Sequence, residues 1–265
     1  MHLQRFRSTL HAGRAIALLA VVLLIAAPAP SPRAAASGSY APATAPACAS
    51  TSTLYDGALG GTPDTQGLLY QSFAMSATQT FSNGLTILDT TPRQSDLAGY
   101  VGNPTSVPAL DRTSGYTLTF GVQVVSETHS NNDRAGFSII ALSQDKLGIE
   151  LGFWSDHIWA QEGGTAPNLF THAEDAPFTT TTGLISYTLA IHGGTYALAA
   201  NGAPILNGNL RDYSAFVGPI DPYETPNFIF LGDDTSSARA KIKLAAFAVT
   251  VTKCTRYLPL ITVAG

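Results

Sequence analysis

Apolar and polar residues alternate along much of the chain, and the alternation is clearest after residue 115. Tyr116, Leu118, Phe120, Val122 and Val124 are interleaved with Thr117, Thr119, Gly121 and Gln123. A period of two places one face of a strand on a core and the other toward solvent. The same reading predicts strands over residues 136–142, 148–154, 157–161, 185–191, 195–199, 204–206, 227–231 and 243–251. Gly193-Gly194 and Asn201-Gly202 separate three of these as hairpin turns, the second with the type I′ signature. Residues 236–247 hold enough Ala and Lys for a helix, but they run unpunctuated into Val249, Thr250 and Val251, so a strand is expected. Many short strands with few helix formers predict an all-β chain, an antiparallel β-sandwich or jelly roll.

The two ends read differently. Arg5, Arg7 and Arg14 precede an apolar run over residues 15–27, and Ala34-Ala35-Ala36 supplies small residues before Ser37. The run is shorter than the ~20 residues a membrane helix needs. Residues 1–36 therefore read as a secretory signal peptide, against the alternative of an uncleaved anchor, which Pro28, Pro30 and Pro32 disfavour. Residues 37–47, rich in Ala, Pro, Ser and Thr, read as a disordered linker, residues 48–254 as one sandwich domain, and residues 255–265 as a short apolar tail. The expected localisation is secreted or extracellular, with attachment to the cell surface left open, and no transmembrane span is expected in the mature chain. The two cysteines, Cys48 and Cys254, bracket the domain. In an oxidising compartment they are most simply a disulfide, which would require the first and last strands to be neighbours.

Composition narrows the classes of function. Charged residues make up 12% of the chain and the net charge is −4. That is too few charges for a disordered or coiled-coil protein. Removing the leader removes four arginines and no acid, so the mature chain is more acidic still. Nucleic acid is not an expected partner. No P-loop, dinucleotide fingerprint or Gly-x-Ser-x-Gly motif is present, and no cofactor is implied. Asp233-Asp234 and the loop 127–133 offer hard oxygen ligands of the kind calcium takes, but a turn and a solvated loop explain them equally. Residues 172–175, with three titratable groups, read as a surface turn.

Residues 228–235, followed by the closing strand 244–251, resemble the end of concanavalin A-like lectin/glucanase domains, in which a Gly-Asp pair often precedes the last strand. Residues 134–138, 148–154 and 211–216 are similar to a family of secreted bacterial domains of the choice-of-anchor type. The resemblance spans about residues 54–253. It implies a concanavalin A-like jelly roll and the use of a concave sheet face for ligands.

Strand parity then assembles a candidate site. Ile149, Leu151 and Phe153 share the core face of one strand, leaving Glu150, Gly152 and Trp154 on the other. If the flanking strands are neighbours, Arg134, Ser138, His157, Trp159 and Gln161 join the same face. Indole rings stack on the C–H faces of sugars, and amide, carboxylate and guanidinium groups bind hydroxyls. The expected ligand set is Arg134, Ser138, Glu150, Trp154, His157, Trp159 and Gln161, with a polysaccharide or glycoconjugate as partner. The alternative is that a loop covers the tryptophans and they fill a second small core.

Glycan binding is the first expected function. A polysaccharide lyase or glycoside hydrolase at the same face is the second. Arg134, Gln161, His157 or His172, and Tyr187 have side chains of the types a lyase uses, whereas the carboxylate-rich strand of the glucanases is absent. A structural adhesion domain without a small-molecule site is the third. The sugar and the oligomeric state are not legible.

Overall fold

A computed structural model describes residues 48–252. Fifteen strands fall in chain order. They are β1 (Ala49–Asp56), β2 (Leu68–Phe73), β3 (Thr78–Ser82), β4 (Leu85–Asp89), β5 (Leu97–Gly102), β6 (Tyr116–His129), β7 (Ser138–Leu142) and β8 (Gly148–Phe153). They continue as β9 (His157–Gln161), β10 (His172–Pro177), β11 (Ile185–His192), β12 (Thr195–Ala200), β13 (Ala203–Asn209), β14 (Phe228–Asp233) and β15 (Ala238–Thr252). Among the described residues the only helical elements are two short 3₁₀ turns, Gly57–Leu59 and Pro63–Thr65, and no helix is long and apolar enough to cross a membrane.

The strands form two antiparallel sheets. One runs β13-β12-β11-β6-β15-β4-β3, with β1 added against β15; the other runs β10-β9-β8-β7-β14-β5-β2. The protein is an antiparallel β-sandwich of the jelly-roll kind, as the alternation predicted. The long strand β15 occupies the stretch that could have been a helix, and its alternation slips by one at Ala245, where the register with β6 shifts between Leu244 and Ala246. Asn201 and Gly202, both at positive φ, make the β12–β13 turn, as their sequence signature requires.

The main core lies between the sheets. Phe120 stacks on Tyr187 at 5.1 Å between ring centroids and meets Phe153 edge-on at 6.1 Å. In β6 and β11 the buried positions recur every second residue, as an outer strand with one wet face should show. The middle of the second sheet departs from that pattern. All five residues of β7 and all six of β8 are buried. Their outer face is covered by the segment between β13 and β14 and by Phe170. Ile140, Leu142, Phe170, Tyr213, Tyr223 and Phe230 form this second small core.

Two sequence boundaries shift. Arg134 to Phe137 precede β7 rather than belonging to it, and Trp154 lies one residue past β8. The first and last strands are neighbours, with Ala49 opposite Thr252. Cys254, the segment 1–36, the linker 37–47 and the tail 255–265 lie outside the described residues.

Candidate functional site

The outer face of the second sheet holds two different environments. Register sets them apart. Gln71, Gly99, Gly232, Ser138, Gly152 and Trp159 stand opposite one another in turn across β2, β5, β14, β7, β8 and β9. Four small residues therefore lie in one row between Gln71 and Trp159. Large rings occupy the space they leave. A Cβ at Gly99 would come within 2.5 Å of the Phe230 ring, and one at Gly152 within 2.7 Å of the Trp159 indole.

At the β9–β10 end the tryptophans and three histidines pack together. Trp159 is fully buried and lies 3.8 Å from the His172 ring. Trp154 meets Trp159 edge-on at 5.6 Å and stacks on His129 at 4.0 Å, nearly parallel. Its indole N–H donates to the Arg134 carbonyl at 2.9 Å. His129 Nδ1 lies 3.1 Å from the Glu127 carboxylate, whose pKa burial raises. Burial also lowers the pKa of His172. His157 is half-buried at the edge and pairs with Asp156 at 3.1 Å. The open indole platform expected from parity is therefore not what the chain builds. Trp159 has no exposed surface, and His129 takes a face of Trp154.

At the β2–β8 end the face hollows into a cavity of about 360 Å³. Phe230, Ile140 and Val101 form much of its floor, and Phe170, Phe216 and Tyr223 close over it from the covering segments. Glu150, Asp234, Asp233 and Arg134 supply the polar lining. Glu150 stands opposite Ile140 on β8 and is 2% exposed. Its Oε2 accepts from Tyr223 Oη at 2.5 Å. Burial pushes its pKa up to about 8, with the nearby Asp234 carboxyl adding to the rise. Asp234 lies beside Glu150 and Ser138, and its pKa is also raised by burial. Two neighbouring acids in a largely apolar surround hold back one another's ionisation.

Tyr213 holds the framework. Its hydroxyl accepts from the Glu150 N–H at 3.1 Å and donates to the Gln161 carbonyl at 2.9 Å, so it sits between β8 and β9 where a ladder bond would form. Arg211, 9% exposed, pairs with Glu162 at 2.9 Å and with Glu174 at 2.5 Å, clamping the covering segment to β10. Residues 172–175 are thus part of an edge strand rather than a surface turn. Arg134 donates from Nη1 to the carbonyls of Asp133 and Phe170, and its guanidinium lies 4.9 Å over the Phe170 ring. Phe170 itself has φ +63, a left-handed conformation that bulky residues avoid.

Of the seven residues expected to share a ligand, the cavity takes Arg134 and Glu150. Ser138 reaches it through Asp234. Gln161, buried, donates to the Asp133 carbonyl and lies beside Glu150. Trp154, His157 and Trp159 belong to the neighbouring ring cluster. Sequence reading missed Tyr223, Phe170 and Phe216. It saw Asp233-Asp234 as a turn or calcium ligands. Asp233 accepts from Thr90 Oγ1 at 2.5 Å and from the Thr235 N–H, and burial raises its pKa to about 9. Among the described residues no group of three or more His, Cys, Asp or Glu is placed to hold a metal ion.

No family profile and no curated protein sequence matches the chain. Solved structures do. A carbohydrate esterase from a Shiga toxin-encoding bacteriophage matches with a TM-score of 0.51 and 12% identity, over 77% of this chain and all of the other. A sialidase matches at 0.49 and 10% identity, over 76% of this chain and 19% of its own. The exoplasmic domain of VIP36 with calcium and mannose bound matches at 0.44 and 10% identity, over 77% of this chain and 90% of its own. The esterase match shows a shared fold at this level of identity.

Proposed function

We propose that the protein is an exported glycan-binding β-sandwich whose ligand occupies the cavity on the outer face of the second sheet. The observation that carries the proposal is the combination in one hollow of aromatic walls with the buried Glu150, the half-buried Asp234 and Arg134. Pyranose rings present apolar C–H faces and polar edges, and such a hollow addresses both. The tryptophan cluster supports the cavity through the Trp154–Arg134 bond rather than forming a platform.

Glycan-array profiling of the full secreted chain, repeated with Phe216→Ala and Tyr223→Phe, tests this reading. Retention of a saccharide by the wild type and its loss in both variants is the expected result. A wild type that retains no glycan removes the proposal.

The enzymatic reading rests on the same two carboxyls. Retaining glycosidases hold theirs about 5–5.5 Å apart and inverting ones further. Glu150 is 2% exposed and its Oε2 is already held by Tyr223 Oη, which favours holding a ligand over cleaving it.

A further inference from the structure

The cavity is lined by more acids than bases. Glu150, Asp221, Asp233 and Asp234 line it, against one guanidinium, that of Arg134. That guanidinium donates from Nη1 to two main-chain carbonyls, lies over an aromatic face and is the charge partner of Glu150 and Asp234. The walls are aromatic and aliphatic, and they offer no second cation. A uronate or sulfated sugar would set another anion against buried acids. A neutral sugar would find acids that keep their protons. An ammonium group would meet carboxyls and ring faces together, the two surfaces that recognise cations.

On the reading of this hollow as a saccharide site, we propose that it selects a sugar carrying a free amino group. The ammonium takes its place between Glu150 and Asp234, and the sugar ring lies against Phe170 and Tyr223. A carboxyl proton that the pair holds leaves to solvent as the ammonium arrives, so one proton is released for each cation bound. The groups that face this pair are Ser138 on β7, Gln161 on β9, Asp233 at the end of β14, Arg134 before β7, and Tyr213 and Tyr223 on the covering segment. Burial holds Asp233 protonated near neutrality and keeps both tyrosines well above their ordinary value, so the pair itself and Arg134 set the charge here.

Calorimetry on the full chain with three tetrasaccharides tests the assignment: glucosamine, N-acetylglucosamine and glucuronic acid oligomers, each in two buffers of different ionisation heat. Glucosamine is expected to bind at least about tenfold more tightly than its acetylated form, roughly one close charge contact's worth. Its heat should depend on the buffer, as proton release requires. Asp234→Asn should bring the two affinities together while the thermal melt stays cooperative. Glu150→Gln should do the same, and Asp234→Asn decides if that variant does not fold. Equal affinities, or tightest binding of the glucuronate oligomer, overturn the selection by charge and leave a saccharide site standing. Binding of none of the three overturns this inference and weighs against the saccharide reading beneath it.

Discussion

Glu150 makes the stability of the fold depend on pH in an unusual direction. Its carboxyl keeps its proton to about pH 8 in the folded chain, against an ordinary value of 4.5. Between those limits the folded state holds a proton that the unfolded state has lost, so stability falls as pH rises. Asp233, held up to about 9, acts in the same sense. Asp111, lowered to about 2 by the hydroxyls of Thr113 and Ser114, acts only in more acidic solution. The melting temperature is expected to be higher near pH 5 than near pH 8. Glu150→Gln, which keeps a partner for Tyr223, should flatten the slope by at least the ~1.4 kcal/mol that one pKa unit represents. Thermal melts of both chains across this range check it, and a wild-type melting temperature that climbs with pH would refute the buried-acid assignment. Trp159→Ala tests the ring cluster. Loss of a fully buried indole should cost about 3–5 kcal/mol, read as a drop of roughly 10 °C in melting temperature. Parity alone placed Ser138, Glu150, Trp159 and Gln161 on one face, and the pairing confirms that placement. Their burial was not legible. Glu150 is covered by Tyr213 and Tyr223 from the segment before β14, which has no periodic pattern and lies far along the chain, whereas Trp159 is packed against Trp154 and His172.

Among elements, most strands after residue 115 were readable, β7 and β8 included, whereas β1 to β5 and β10 were not. β6, β11 and β12 alternate, and their sequence shows it. The edge strand β10, half-exposed on both faces and carrying His172, Glu174 and Asp175, has the polarity of a loop. β7 and β8 read as half-buried, yet both faces are covered. Register was the larger omission, because a row of small residues forms only when four strands are aligned. Gly99 and Gly232 lie opposite each other on β5 and β14, and this leaves the Phe230 ring room to lie over the sheet. Gly99→Ala puts a methyl group into that ring and should tilt Phe230 into the cavity. A stability loss of about 1–3 kcal/mol is expected from the overpacking, together with weaker ligand binding. The outcome separates the cavity from the tryptophan cluster, since Gly99 lies at the opposite end of the sheet. Unchanged binding in a folded Gly99→Ala chain would show that the cavity is not where the ligand sits.

At the scale of the whole molecule, the pairing of β1 with β15 joins the two ends of the domain. Ala49 stands opposite Thr252, and the hydroxyls of Thr51 and Thr250 bond across the pair at 2.8 Å. Cys48 immediately precedes the first of these residues, and Cys254 follows two positions after the last. The paired strand ends bring the two ends of the domain together, as a disulfide between the cysteines requires. The neighbouring ends were predicted from the cysteines and are borne out by the strands. The bond itself is the prediction. A bridge here closes a loop of almost the entire domain, for which the chain-entropy model gives roughly 5 kcal/mol before strain. The double variant Cys48→Ser/Cys254→Ser should therefore unfold at lower denaturant concentration with an m-value close to wild type once the wild type is reduced. Non-reducing peptide mapping of the protein should yield one cross-linked peptide joining the two ends. Recovery of two alkylated cysteines from the denatured, unreduced protein would show that strand pairing alone holds the ends together.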